Sequence, residues 1–245
     1  MQNAIEIKNL KVQYGERTIL RDVNAVFPEK KVTVILGGSG CGKTTLLKSI
    51  LKLNDPIQGS VKLFGEETFG ITLEEFDKYL KKTGVLFQNG ALLNSVTVAE
   101  NVAIPLQQHT TLSEEMIHRI VKVKLGLVGL SHALDLLPSE LSGGMKKRAA
   151  LSRAIALDPK ILFCDEPSAG LDPITSKNLD DLILKLKEQL NMTIVIVTHE
   201  LASIHRIADH LIFLDQGKVL YQGDLEGAKN SELEEVKTFF ETGAF

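Results

Sequence analysis

Cysteine is scarce: the 245-residue chain has two, Cys41 and Cys164, too few for a disulfide framework. Long hydrophobic runs are missing as well. Nowhere do eighteen or more apolar residues follow one another, so no segment is expected to span a bilayer. The opening stretch, MQNAIEIKNLKVQYG, alternates apolar and polar residues and lacks the charged start and apolar block of a secretory signal. These features lead us to expect a cytosolic protein with free thiols. Charge of either sign is not in excess. A net charge of -3 implies no strong pull toward nucleic acid or an anionic membrane, and no nucleic-acid partner is expected. Low-complexity segments, long linkers and internal repeats are also absent, which leaves one large domain or a domain with an inserted lobe.

What is present is an ordinary globular composition, 44% hydrophobic and 24% charged. Residues 4–27 alternate as strands do, with a turn at Tyr14-Gly15-Glu16-Arg17. The run VTVIL at 32–36 suits a buried strand. After a glycine-rich loop, Leu46, Leu47, Ile50 and Leu51 share a helical face that Asn54-Asp55-Pro56 is expected to end. SVKLF at 60–64 alternates again. From about 97 to 160 the pattern is mostly helical. ILFCD at 161–165 and TIVIVT at 193–198 are buried-strand candidates with a long helix between them. This order predicts an α/β fold with antiparallel strands first, parallel-type strands alternating with helices later, and a helical lobe between.

Gly37-Gly38-Ser39-Gly40-Cys41-Gly42-Lys43-Thr44 fits G-x-x-x-x-G-K-[ST] between a predicted strand and a predicted helix. The glycines let backbone N–H groups turn inward around a phosphate chain, and the helix start adds unpaired N–H groups and the positive end of its dipole. Lys43 is expected to reach the β- and γ-phosphates and the Thr44 hydroxyl to ligate Mg²⁺. A thiol beside a helix start and a lysine should have a lowered pKa. Cys41 is therefore expected to react readily unless MgATP covers it, and Cys164, inside a strand, to react slowly.

ILFCDEP ends an apolar strand with two carboxylates. Alternation lets Asp165 face a metal ion while Cys164 points the other way. Glu166, one step beyond, can orient a water and accept its proton. Leu141-Ser142-Gly143-Gly144-Met145 opens a second helix with a good N-cap, a second anion-binding terminus. Lys146, Lys147 and Arg148 read as a solvated face, with lipid or partner contact as the other reading.

LSGG ahead of a helix and upstream of a strand-end aspartate resembles the signature of the ABC ATPases. The rest of that family's pattern follows in order. Tyr14 matches the aromatic that stacks on adenine, Gln88 the glutamine that touches Mg²⁺ and the attacking water, Ser168-Ala169-Gly170-Leu171-Asp172 the loop that crosses the dimer interface, and His199 the histidine on the γ-phosphate. The resemblance implies a P-loop NTPase core with an N-terminal antiparallel β-subdomain, a helical subdomain at roughly 89–160 and a helical tail at roughly 229–245. It also implies ATP and Mg²⁺ as ligands. The nucleotide-binding set is Tyr14, Gly37 to Thr45 (Thr45 included), Ser142, Gly143 and Gly144. The metal set is Thr44, Gln88 and Asp165, and the catalytic set is Lys43, Gln88, Glu166 and His199. Two subunits are expected to sandwich two ATPs, the signature of one lying on the nucleotide of the other.

A single cassette fits a transporter subunit that sits on the cytoplasmic side of the membrane, bound to separate permease subunits. It fits less well the translation-type relatives, which carry two cassettes, or the chromosome-maintenance relatives, which need long coiled coils. Two stretches are similar to ATPases of the maintenance-of-lipid-asymmetry (Mla) type: Phe87-Gln88-Asn89-Gly90 through Glu100-Asn101-Val102, and LSGGMKKR, with Met145 where most relatives carry glutamine. This implies transport of phospholipid or a similar hydrophobic molecule across the bacterial envelope, with a periplasmic or membrane-anchored lipid-binding subunit. The alternatives are a soluble ABC ATPase acting on nucleic acid or ribosomes, an importer ATPase for another substrate, and a regulatory module that binds ATP without turnover. In the tail, Ser231-Glu232-Leu233-Glu234 fits a capping box, and Leu233, Val236 and Phe240 form one helical face that is expected to pack on the chain's own sheet, with a dimer or partner contact as the other reading.

Overall fold

The computed structural model describes residues 2–242. In chain order the elements are β1 (Asn3–Tyr14), β2 (Arg17–Pro28), β3 (Val32–Gly37), α1 (Lys43–Ile50), β4 (Gln58–Leu63), β5 (Glu66–Glu67), α2 (Leu73–Leu80), β6 (Thr83–Leu86), α3 (Val98–His109) and α4 (Glu114–Leu127). There follow α5 (Gly143–Ala154), β7 (Ile161–Asp165), α6 (Pro173–Leu190), β8 (Thr193–Val197), α7 (Leu201–Ile207), β9 (His210–Asp215), β10 (Lys218–Gly223), α8 (Leu225–Lys229) and α9 (Glu234–Thr242). The chain divides into two compact units, Met1–Leu80 with Thr193–Phe245, and Lys81–Met192.

In the first unit β2, β1, β4 and β5 form an antiparallel sheet. The alternation seen in the sequence buries Ile5 and Ile7, then Leu10 and Val12. The one-residue slip between the pairs falls where the β1–β2 register shifts and Asn9 takes φ 49°, a bulge that returns the apolar side chains to one face. The Asn9 amide secures it by donating to Asp22 Oδ1 at 2.8 Å.

The same unit holds strands in the order β10, β9, β3, β8. β3 is parallel to both β8 and β9, and all six of its residues are buried, as the VTVIL run predicts for a strand covered on both faces. β9 and β10 form a hairpin whose turn residues Gln216 and Gly217 have φ 44° and 78°, the sign pattern of a tight two-residue turn. α1 buries Leu46, Leu47 and Ile50 as expected, but it closes at Ile50, with Leu51 as its cap, ahead of Asn54-Asp55-Pro56. α2, not among the elements expected from the sequence, opens with a Thr72–Glu75 capping box and buries Phe76 and Tyr79.

The tail differs from its expected pattern. α9 starts at Glu234, so Leu233 precedes the helix and is exposed, while Val236 and Phe239 are fully buried. The buried pair is thus i, i+3 within the helix. Ser231 Oγ accepts from the Leu233 N–H at 3.2 Å, a local turn two residues on. Phe239 meets Phe213 of β9 edge-on at 6.0 Å, and Phe240 meets His205 of α7 at 6.0 Å. Through residue 242 the tail therefore packs on its own unit. Residues 243–245 lie outside the described part.

The second unit contains the expected helical segment together with β6, β7 and α6. β6 and β7 are parallel, with Leu86 opposite Cys164. α3 packs on α4 and α5. Thr97 and Glu100 form a capping box at the start of α3. Fully buried Asn101 uses both ends of its amide, accepting from the Leu93 N–H at 2.8 Å and donating to the Leu93 and Thr97 carbonyls at 3.0 Å each. It thereby fixes the loop that leads into the helix. Among the described residues no helix is long and apolar enough to cross a membrane.

Candidate nucleotide site

The phosphate loop joins β3 to α1 in the first unit. Gly37, Gly40 and Gly42 have φ of 147°, 75° and 113°, values that L-residues with side chains rarely adopt. At Gly37 space is also decisive: a Cβ there would lie 2.0 Å from the Leu214 carbonyl oxygen of β9. Gly38 is half-buried, Ser39 and Gly40 are exposed, and Thr44 is exposed at the start of α1 with Thr45 half-buried beside it. The Lys43 ammonium bends back over the loop and donates to the Gly37 and Gly38 carbonyls at 2.7 and 3.0 Å. A cation is therefore held over the backbone that the glycines shape, which is the arrangement an oxyanion chain requires.

Cys41 departs from expectation. It is buried, and the Gly37 Cβ position lies 2.8 Å from its Sγ, so the thiol packs inward. Burial raises its pKa, and the opposing pull of Lys43 is the smaller effect. Burial thus works against the thiolate, opposite to the activation that its neighbours suggested. The hairpin tip supports this part of the loop, as the Gly217 N–H donates to the Cys41 carbonyl at 3.1 Å.

Two other expected residues share this unit. His199 follows Thr198 just past the carboxyl end of β8. The register Ile35 opposite Val197 sets it level with Gly37, at the strand edge where ligands of parallel sheets bind. Tyr14 ends β1, half of its surface exposed. Asn54 Nδ2 donates to the Tyr14 hydroxyl at 2.8 Å and to the Thr45 carbonyl at 3.4 Å. Asn54 thus ties the aromatic to the first turn of α1. From the sequence, Asn54 reads only as a helix stop, because a tether between residues so far apart leaves no local signal.

The second unit holds the remaining candidates. Asp165 ends β7 and Glu166 follows it, both half-buried, while Cys164 behind them is fully buried. Burial, reinforced by Asp165 and Asp180, pushes the Cys164 thiol upward, which fits the slow reaction expected of it. Glu166 has φ 46°, a left-handed conformation that costs a non-glycine residue about 1–3 kcal/mol and turns its side chain out of the strand's alternation. Gln88 is exposed two residues past β6. Gln88 and Glu166 each lie two residues past the last paired residues of the strand pair, Leu86 and Cys164, at its carboxyl edge.

Lys147 was misread as part of a solvated face. It is buried, and its ammonium donates to the Gln88 carbonyl and, at 3.4 Å, to the Glu166 carbonyl. Arg148 donates to the Val128 carbonyl at 3.1 Å. Of the three basic residues only Lys146 is exposed. Arg153, one helical turn after Ala150, donates to the Gly90 and Ala91 carbonyls at 2.7 Å each. A long basic side chain can run beneath a surface to reach main-chain oxygens, and a run of charged letters does not reveal this.

Ser142 caps α5, its hydroxyl accepting from the Met145 N–H at 3.3 Å. Ser142, Gly143 and Gly144 line an open cleft of about 710 Å³ together with Gly170, Leu171 and Asp172, so the signature and the loop matched in the sequence share one surface. A Cβ on Gly144 would meet Thr175 Cγ2 at 2.7 Å, which keeps the start of α5 close to α6.

A sequence model described as ABC transporter matches residues 20–169. The chain is 43% identical to the intermembrane phospholipid transport system ATP-binding protein MlaF of Haemophilus influenzae, over 94% of this chain and 88% of that protein. It is 38% identical to the MlaF protein of Escherichia coli K12, over 98% and 89%. Among solved structures, the dimeric post-hydrolysis state of the ATP-binding cassette MJ0796 bound to ADP and Pi matches with a TM-score of 0.81 and 30% identity, over 90% of this chain and 98% of that one. With two glycine-rich helix starts and an acidic strand end in its own backbone, and these relatives along its length, this chain belongs to the ABC transporter family as an ATP-binding subunit of the Mla type.

Proposed function

We propose that this ATP-binding subunit couples ATP hydrolysis to the movement of phospholipid by separate membrane subunits of a bacterial envelope transporter. The observation that carries the lipid assignment is the 43% identity to a phospholipid-transport ATPase over 94% of the chain. The observation that supports turnover rather than storage of ATP is the strained, half-buried Glu166 beside Asp165.

In this reading the loop from Gly37 to Thr45 wraps the phosphates, Lys43 neutralises them and Tyr14 stacks on the base. Thr44, Gln88 and Asp165 would hold Mg²⁺. They are few, hard oxygen donors, which suits an ion that keeps waters and phosphate oxygens in its shell, and the ion would offset charge on the phosphates. Glu166 orients the attacking water and accepts its proton, Gln88 contacts that water, and His199 contacts the γ-phosphate. Catalysis of this kind is positioning and charge stabilisation. Two chains pair, each placing Ser142, Gly143 and Gly144 on the other's nucleotide. The stretch after Gln88 docks the permease at the cytoplasmic face, and a lipid-binding subunit completes the system.

Affinity purification of the tagged chain from solubilised membranes tests this assignment. Multi-span permease subunits and a lipid-binding partner should co-purify, and the complex in vesicles should move fluorescent phospholipid only with ATP. Recovery of ribosomes or DNA in place of membrane subunits would overturn the transport reading, and a complex that hydrolyses ATP without moving phospholipid would overturn the substrate.

A further inference from the structure

We propose that Lys147 is a positioning residue for hydrolysis, its ammonium joining the Gln88 carbonyl to the Glu166 carbonyl and so aligning both side chains from the signature helix. This rests on the roles proposed above for Gln88 and Glu166.

Lys147 is 7% exposed. A buried ammonium is stable only where its donors are met, and two of its acceptors are these two carbonyls. The bond to Gln88 is short and charge-assisted; the one to Glu166, at 3.4 Å, is the longer of the two. Their placement is specific. Residues 88 and 166 each lie two past the last β6–β7 pair, Leu86 and Cys164, and one ammonium reaches the carbonyls of both. At Glu166 the carbonyl belongs to a residue at φ 46°, a conformation that surrounding contacts must hold. At Gln88 the main chain is fastened while the side chain stays exposed. An anchored backbone with a projecting side chain is what a group that orients water needs. Arg153 separately fastens the Gly90 and Ala91 carbonyls, so the loop beyond Gln88 keeps its course without Lys147. Removing Lys147 should therefore misplace two side chains without freeing the loop.

Single-turnover hydrolysis by the full chain, with ATP affinity measured separately by a fluorescent nucleotide, tests this. Lys147→Met should slow hydrolysis on the order of 10²-fold, the scale of a small misplacement, with ATP Kd within about threefold of wild type, because no nucleotide contact is assigned to it. Lys147→Gln, a shorter neutral donor, should fall between Met and wild type. Glu166→Gln should be slow by about 10²–10⁴, and adding Lys147→Met to it should cost less than about threefold more, since residues acting as a unit are not additive. A wild-type rate in Lys147→Met overturns the proposal. So do losses that multiply in the double variant, or ATP binding that falls together with hydrolysis in both Lys147 variants, which marks a merely structural role. A wild-type rate in Glu166→Gln overturns the underlying reading of Glu166 and this proposal with it. A slow Glu166→Gln beside an unaffected Lys147→Met overturns this proposal alone.

Discussion

Lys43 shows how much one side chain can carry. Its ammonium already lies across the loop, bonded to the Gly37 and Gly38 carbonyls, so exchanging those bonds for phosphate oxygens needs little movement of the backbone. Lys43→Ala removes the fixed cation nearest the phosphates. ATP binding or hydrolysis should be lost, and an isotherm with a phosphate-release assay would show which; normal turnover would remove Lys43 from the mechanism. Cys41, two residues earlier, gives the opposite lesson. Its neighbours in the sequence suggested activation, yet burial is the larger influence and raises the thiol. Alkylation at neutral pH should accordingly be slow for both Cys41 and Cys164, with two thiols titrating only after denaturation. Rapid single-site inactivation that MgATP prevents would reinstate the reactive reading. Sequence neighbours report which charges are near; they do not report how much water is excluded, and for Cys41 the second quantity decides.

At the scale of elements, what was legible had a local cause. The VTVIL, ILFCD and TIVIVT runs became β3, β7 and β8 because continuous apolar runs of that length have few other uses. The loop before α1 and the cap of α5 were visible for the same reason, since glycine and serine at those places answer to backbone geometry nearby. The β9–β10 hairpin was missed because its turn, Gln216-Gly217, lacks the usual asparagine or aspartate at the first position. The roles of Asn54, Lys147 and Arg153 were missed because their acceptors lie far along the chain. Two variants probe elements directly. Thr97→Ala removes half of the α3 capping box and should cost about 1 kcal/mol, a fall of roughly 2–4 °C in Tm for a chain of this size. An unchanged melting temperature would mean the box is not formed. Ser142→Arg places a large cation at the exposed start of α5. Hydrolysis should stop while the monomer's ATP affinity is unchanged, because the signature is assigned to the opposite subunit's nucleotide. Weak ATP binding by the monomeric variant would show that assignment to be wrong.

At the scale of the whole molecule, the proposed pairing of two chains turns on where the signature sits. Ser142 and Gly143 are exposed and share their cleft with the loop 170–172, which is consistent with the proposed place of a second chain's nucleotide. A related cassette is dimeric with ADP and Pi bound. Hydrolysis removes the γ-phosphate that the proposed sandwich would hold between two chains, so blocking the chemical step should trap it. Glu166→Gln does this with little change of shape: the amide keeps the carboxylate's size but cannot accept the water's proton, a loss worth about 10²–10⁴ in rate. Lys43 and the loop still hold the phosphates, and removal of one negative charge near them lessens repulsion, so ATP affinity should stay level or rise. The variant should therefore be a monomer in buffer and twice that mass with MgATP, and should release phosphate slowly. Light scattering with and without MgATP, beside a phosphate assay, measures both. A slow variant that remains monomeric with MgATP would keep Glu166 as the base but remove the signature from the partner's nucleotide. A trapped dimer in Glu166→Gln that Ser142→Arg abolishes would place the signature at the interface.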